Sequence, residues 1–132
     1  MDTPVTGTPR AILRLEGLAV LLVSVIGYQA TRGSWWMFAL LILVPDVSLA
    51  GYGVNARIGA ATYNAFHTYV APAGLAALGA LGLPHALPIS IIWVAHIAMD
   101  RALGLGLKFP TAFESTHLGT VGRKPRIASA TA

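Results

Sequence analysis

The chain has 132 residues, 55% of them hydrophobic and only 11% charged, with a mean hydropathy of +0.68. A soluble domain carries roughly 25% charged residues, so a water-facing surface is excluded and the class is membrane. Cysteine is absent, which excludes a disulfide framework, a thiolate metal site and a cysteine nucleophile, and leaves the redox compartment open. The net charge of +4 is not gathered into a sizeable patch, so nucleic acid is not an expected partner; the bilayer is.

A spanning helix needs about 20 residues, so the length suits one domain of three or four spans. The reading adopted is all-α: an integral membrane bundle of four transmembrane helices over residues 10–108, between a disordered lead (1–9) and a cytoplasmic C-terminal tail (109–132). The lead, MDTPVTGTPR, lacks the basic start and small-residue cleavage site of a signal peptide. Span one runs from Arg10 to Ala30, with Arg10 and Arg14 placed to reach the headgroups. Thr31-Arg32-Gly33-Ser34 is a tight turn, followed by Trp35 and Trp36 as an interfacial aromatic belt. Span two runs from Ser34 to Gly51, and its apolar run stops at Pro45-Asp46, where proline removes a backbone donor and favours a kink. Span three runs from Ile58 to Leu81. Its second half, AGLAALGALG, has the small-residue composition of a close helix contact in lipid and is the expected face toward a second copy or a larger complex. His85 falls in the next turn and is read as solvated. Span four runs from Leu87 to Leu107, and the alanine- and serine-rich basic end of the tail is expected to be disordered.

With four spans, both termini share one side. That side collects Arg10, Arg14, Arg57, Lys108, Arg123, Lys124 and Arg126, against Arg32 alone on the other. The bias predicts both termini in the cytoplasm. Ionisable groups inside spans are costly and face an interior. From that side, a helical rise per residue puts Glu16 at about 9 Å depth, Asp46 and Asp100 at about 10 Å, His67 at about 13 Å and His96 at about 16 Å. Each span thus brings an ionisable group to one layer. His96 and Asp100 are four apart and share a helix face; Asn64 and His67 are three apart.

Three carboxylates (Glu16, Asp46, Asp100) and two imidazoles (His67, His96) are prohibitive together if uncompensated, and a divalent cation would offset them. Nitrogen and oxygen donors without sulfur suit zinc, iron or manganese. Asn64, Arg101, Lys108 and His117 form the remaining polar set. The bland readings stay open: His67 as a hydrogen-bonded core histidine, Asp46 as a cap at the proline break, Asp100 and Arg101 as an ion pair, Glu16 paired with Arg14 or Arg57, and His117 as an ordinary loop residue rather than part of a lid. Three other functions stay open as well. They are a haem held by His67 and His96, a proton or ion pathway, and an accessory subunit whose polar cluster is structural. No catalytic residue is assigned, and whether the protein is an enzyme is left undecided.

The stretches LRLEGLAVL, SWWMFALLILVPDVSLAGY, GAATYNAFHTYVAP and WVAHIAMDRALGLGLKFPTAFESTHLG together resemble the small bacterial multi-pass membrane proteins of domain-of-unknown-function family 4260. The resemblance covers Leu13 to Gly119. It rests on Pro-Asp, Tyr-Asn-x-x-His and Ala-His-x-x-x-Asp-Arg, followed by Gly-Leu-Lys and Thr-His-Leu-Gly. It implies a compact multi-pass membrane protein and transfers no activity. The matching polar positions are Glu16, Asp46, Asn64, His67, His96, Asp100, Arg101, Lys108 and His117.

Overall fold

The computed structural model describes residues 3–122. Among these, α1 (Gly7–Ala30) and α2 (Trp35–Leu41) are followed by a 3₁₀-helix (Val44–Gly53). Then come α3 (Ala56–Phe66), α4 (Val70–Ala80), α5 (Ala86–Leu103) and a minimal antiparallel hairpin of β1 (Ser115–Thr116) and β2 (Gly119–Thr120). Three segments are long and apolar enough to cross a membrane: Gly7–Ala30, Trp35–Gly53 and Ala86–Leu103. Their outward faces carry large apolar side chains such as Leu22, Val23, Ile26, Leu40 and Val47, as contact with lipid requires.

α5 is the organising element. Ala95, Ile97 and Ala98 are fully enclosed, and α1 and α4 both pack along it. The approach of α1 is made possible by Gly17, where a Cβ would meet the Ala102 backbone nitrogen and the Arg101 Cβ, each at 2.7 Å. The turn between α1 and α2 is set by Tyr28, whose hydroxyl donates to the Ser34 carbonyl (2.7 Å) and whose ring meets Trp35 and Phe38 edge-on. Trp35 therefore lays one side on Tyr28 and stays half-exposed, while Trp36 is almost fully exposed.

Span three is not one helix. It breaks after Phe66, and α4 starts again at Val70. Pro72 explains the break: it has no N–H to give Thr68, and its ring would clash with that carbonyl in a continuous helix. In the first turn of a new helix it is tolerated. Span four ends at Leu103 rather than Leu107, because Gly104 adopts φ +87° and closes the helix with a bond from the Leu105 N–H to the Asp100 carbonyl. Asp46 sits, as its proline neighbour suggested, at a change of helix type, in the first turn of the 3₁₀ segment. His85 lies exposed in the turn before α5.

The stretch after α5 folds back instead of trailing away. Lys108 bridges to Thr116, the Phe109 N–H donates to the Ser115 carbonyl, and the Val5 N–H donates to the His117 carbonyl. The start of the chain is thereby tied to this cap, and α1 begins at Gly7 rather than Arg10. The disorder expected of the basic end, and the charges of Arg123, Lys124 and Arg126, lie outside the described residues.

Candidate metal centre

Two interruptions and one continuous helix build the site. The 3₁₀-helix delivers Asp46, the end of α3 delivers His67, and one face of α5 delivers His96 and Asp100. One ligand atom from each of the four lies within 4.8 Å of every other. His67 and His96 are fully buried, the Asp100 side chain is 7% exposed, and the Asp46 side chain is 40% exposed. The cluster is thus enclosed on three sides and reachable past Asp46.

The distances have a definite shape. His67 Nε2 lies 3.1 Å from His96 Nε2, 3.4 Å from Asp46 Oδ1 and 3.5 Å from Asp100 Oδ2. His96 Nε2 lies 3.4 Å from Asp46 Oδ1 and 3.6 Å from Asp100 Oδ2. Four donors placed tetrahedrally around a zinc ion at 2.0–2.2 Å stand about 3.3–3.6 Å apart. Four of the six edges fall within that spacing, and the edge between the two Nε2 atoms, at 3.1 Å, is slightly shorter. The donor set, two imidazole nitrogens and two carboxylate oxygens, is one that zinc, iron and manganese accept.

The supporting bonds orient the donors. His67 Nδ1 lies 2.8 Å from the Tyr63 carbonyl, so Nδ1–H donates there and the Nε2 lone pair is left facing the cluster. The Tyr63 ring stacks on the His67 ring at 3.6 Å, and its hydroxyl donates to Asp100 Oδ2 at 3.1 Å. Tyr63 therefore fixes two of the four donors. In the sequence it had no role at the site beyond the Tyr-Asn-x-x-His motif, although its position four residues before His67 put it on the same helix face. His96 Nδ1 is buried without a hydrogen-bond partner among the described residues. The 3.1 Å separation of the two Nε2 atoms leaves no room for a porphyrin between the histidines, which argues against the haem arrangement.

Glu16 lies outside the cluster, exposed on α1. The next residue, Gly17, is the one that faces α5, and a step of one residue turns the side chain about 100° round the helix. Glu16 was expected at the depth of the cluster, but its helix face points elsewhere. Asn64, Arg101, Lys108 and His117 are near the site but do other work. The Asn64 amide clamps Lys108, accepting from its backbone N–H (2.7 Å) and donating to its carbonyl (2.9 Å). Arg101 donates to the His67 carbonyl (2.7 Å) and to the Leu105 carbonyl (3.0 Å), satisfying a group freed by the α3–α4 break. It makes no ion pair with Asp100 among the described residues.

The buried Lys108 ammonium donates to the Phe113 carbonyl (2.7 Å) and lies 3.9 Å from the Phe113 ring centre; burial pushes its pKa down. His117 accepts from the Leu107 N–H at Nδ1 (2.8 Å). Burial and the Arg101 guanidinium hold its imidazole below the ordinary histidine range.

The sequence profile of DUF4260, a domain of unknown function, matches residues 10–121, which is nearly the whole chain. The chain belongs to that family. Neither a curated protein nor a solved structure matches it.

Proposed function

We propose that this member of the DUF4260 family is an integral membrane protein that holds one divalent metal ion, zinc by preference over iron or manganese, between Asp46, His67, His96 and Asp100. The observation that carries this reading is the set of inter-donor distances, 3.1–3.6 Å across five edges of a tetrahedron. Preference for zinc rests on that tetrahedral spacing and on the nitrogen–oxygen donor set. His67 is anchored through Nδ1 and Asp100 through Tyr63, as ligating imidazoles and carboxylates usually are. When bound, such an ion lowers the pKa of a coordinated water toward neutrality, and Asp46 is the donor exposed enough to yield a coordination position.

A second reading has one observation in its favour. His67 Nε2 and His96 Nε2 are at hydrogen-bond distance, so a shared proton between them would make the cluster part of a proton path. Elemental analysis of the detergent-purified protein separates the two. About one equivalent of metal, lost in His96→Ala, supports the metal site; a folded protein without metal supports the proton path.

Four membrane passes with cytoplasmic termini in a bacterial inner membrane remain the topology we favour. Support comes from the pairing of residues along α5: Leu87 approaches Gly79, Ser90 bonds Pro72, Trp93 bonds Phe66, and Asp100 accepts from Tyr63. α4 and the C-terminal end of α3 therefore meet α5 in antiparallel order, while the body of α3 packs on the 3₁₀-helix. The same pairing uses part of the small-residue stripe within the chain, since Gly79 closes onto the start of α5. That weighs against the accessory-subunit alternative, in which the stripe packs on a partner. Cross-linking in native membranes tests this point, with a monomer expected.

A further inference from the structure

Several polar residues left over from the metal cluster gather in a second place. Glu16 on α1, Arg101 in the last turn of α5, His117 in the cap and Tyr69 just before α4 line one pocket of 180 Å³. Leu13 and Val20, one turn either side on α1, give it an apolar wall. None of the four metal ligands lines it. Glu16 and Arg101 bear opposite charges here yet do not pair: every ion pair among the described residues joins two of the metal ligands. Arg101 gives one N–H from each terminal nitrogen to the Leu105 and His67 carbonyls, which holds the guanidinium and leaves its other N–H groups for a ligand. His117 accepts at Nδ1 from the Leu107 N–H, so the neutral ring carries its proton at Nε2. The pocket thus offers donors to an anion at Arg101, His117 and Tyr69, and an acceptor to a cation at Glu16.

We propose that this pocket binds the zwitterionic head of an ethanolamine phospholipid, with its phosphate at Arg101 and its ammonium at Glu16. Opposite charges that share a pocket without pairing fit a ligand that carries both signs. A planar guanidinium matches the geometry of a phosphate, and a carboxylate bonds best to a cation that has N–H groups to give. Choline has none, and its recognition calls for a cage of aromatic rings, where this lining offers the one phenol ring of Tyr69. The volume is below the roughly 300–1,000 Å³ of sites for drug-sized ligands. Only the head enters, and the acyl chains stay in the bilayer along the exposed Val23, two turns beyond Glu16 on the same face of α1. The last turn of α5 and the cap place the pocket at the end of the bundle, where spans meet the headgroup layer. The proposal rests on the membrane half of the proposed function and uses none of the metal ligands.

Native mass spectrometry of the full-length protein tests it. The protein is released from nanodiscs that hold equal parts of phosphatidylethanolamine, phosphatidylglycerol and phosphatidylcholine with the same acyl chains. Phosphatidylethanolamine is expected to be retained ahead of both others, since phosphatidylglycerol lacks the cation and phosphatidylcholine lacks the N–H groups. Glu16→Gln is expected to lower the ratio of bound phosphatidylethanolamine to phosphatidylglycerol about threefold, the size of one partly exposed ion pair. Glu16→Lys is expected to invert the ratio. Helical circular dichroism should be unchanged in both. Val20→Trp, filling the pocket from its apolar wall, serves as a second variant and should remove the preference.

Free O-phosphoethanolamine in a parallel arm identifies the source. Displacement of the lipid by the free head assigns the head alone as a sufficient ligand, and retention in its presence assigns the intact bilayer lipid. Equal retention of the three lipids, or phosphatidylglycerol foremost, would overturn the proposal, as would a preference that persists unchanged in both Glu16→Gln and Val20→Trp. Resistance of the chain to alkaline extraction from membranes reports the membrane half of the proposed function separately. A lipid preference in a protein without metal would remove the metal site and leave this one standing.

Discussion

Two polar groups lie side by side in this apolar chain and are treated in opposite ways. In the first, Asn64, Arg101, Lys108 and His117 each direct their side chains at backbone atoms: Asn64 at Lys108, Arg101 at His67 and Leu105, Lys108 at Phe113, His117 at Leu107. They close the α3–α4 break and hold the cap that follows α5. In the second, Asp46, His67, His96 and Asp100 point at one another, with lone pairs facing across 3.1–3.6 Å. The first group is tolerable within the protein as it stands. The second needs a cation or shared protons to be tolerable at that burial. Polarity inside a membrane chain is therefore not itself the mark of a site. What distinguishes the two groups is whether side-chain donor and acceptor atoms are left facing one another once the backbone contacts are made.

Substitutions should separate the groups sharply. The largest effect on metal is expected from His67→Ala and His96→Ala, each of which deletes one of four donors; metal affinity should fall by more than the roughly 10- to 100-fold of an outer-shell loss, read by elemental analysis after desalting. Tyr63→Phe should follow. It keeps the ring stack on His67 and removes the bond to Asp100, so affinity should drop on the order of 10-fold with the thermal midpoint nearly unchanged. Arg101→Ala should reverse that pattern. Leaving the His67 and Leu105 carbonyls without their charged donor should cost about 3 kcal/mol of stability, read as thermal unfolding in detergent, while the four donors stay in place.

Smaller again is the pH response of the cap. The folded-state pKa of His117 is depressed, so the unfolded chain binds the proton more readily. The stabilising contribution is then present above the ordinary histidine value near 6.5 and is lost as pH falls below it. Protonation also takes the Nδ1 lone pair that the Leu107 N–H uses. A falling protection factor at the Leu107 amide as pH drops below the ordinary histidine value is the expected signature, and it should vanish in His117→Gln. Smallest of all is Glu16→Gln, which should leave metal content unchanged; a loss comparable to that of His96→Ala would join the two groups that the structure separates.

Much of this division was legible in the residues. Helices long and apolar enough to cross a membrane followed from composition, and the gathering of Asp46, His67, His96 and Asp100 followed from expected depth, because rise per residue is nearly constant along a helix. Depth says nothing about azimuth, and Glu16 was misplaced for that reason. Gly17 was the available signal, since the residue at a close helix contact is small and its neighbour must then face elsewhere. The break in span three could have been read from Pro72, which lies unremarked within the apolar run from Ile58 to Leu81. A lid around His117 was weighed, but the hairpin within the cap escaped notice because its strands are two residues long. So short a ladder has no periodicity to read, and tertiary bonds from Asn64, Lys108 and Val5 hold it in place.

The most direct test of the account is the metal content of the detergent-purified protein, measured beside His96→Ala. The structure predicts about one equivalent of a divalent metal, zinc foremost, in the native chain and little in the variant, with both proteins retaining their helical circular dichroism. A folded native protein that carries no metal, and takes up none when zinc, iron(II) or manganese(II) is supplied, would contradict it.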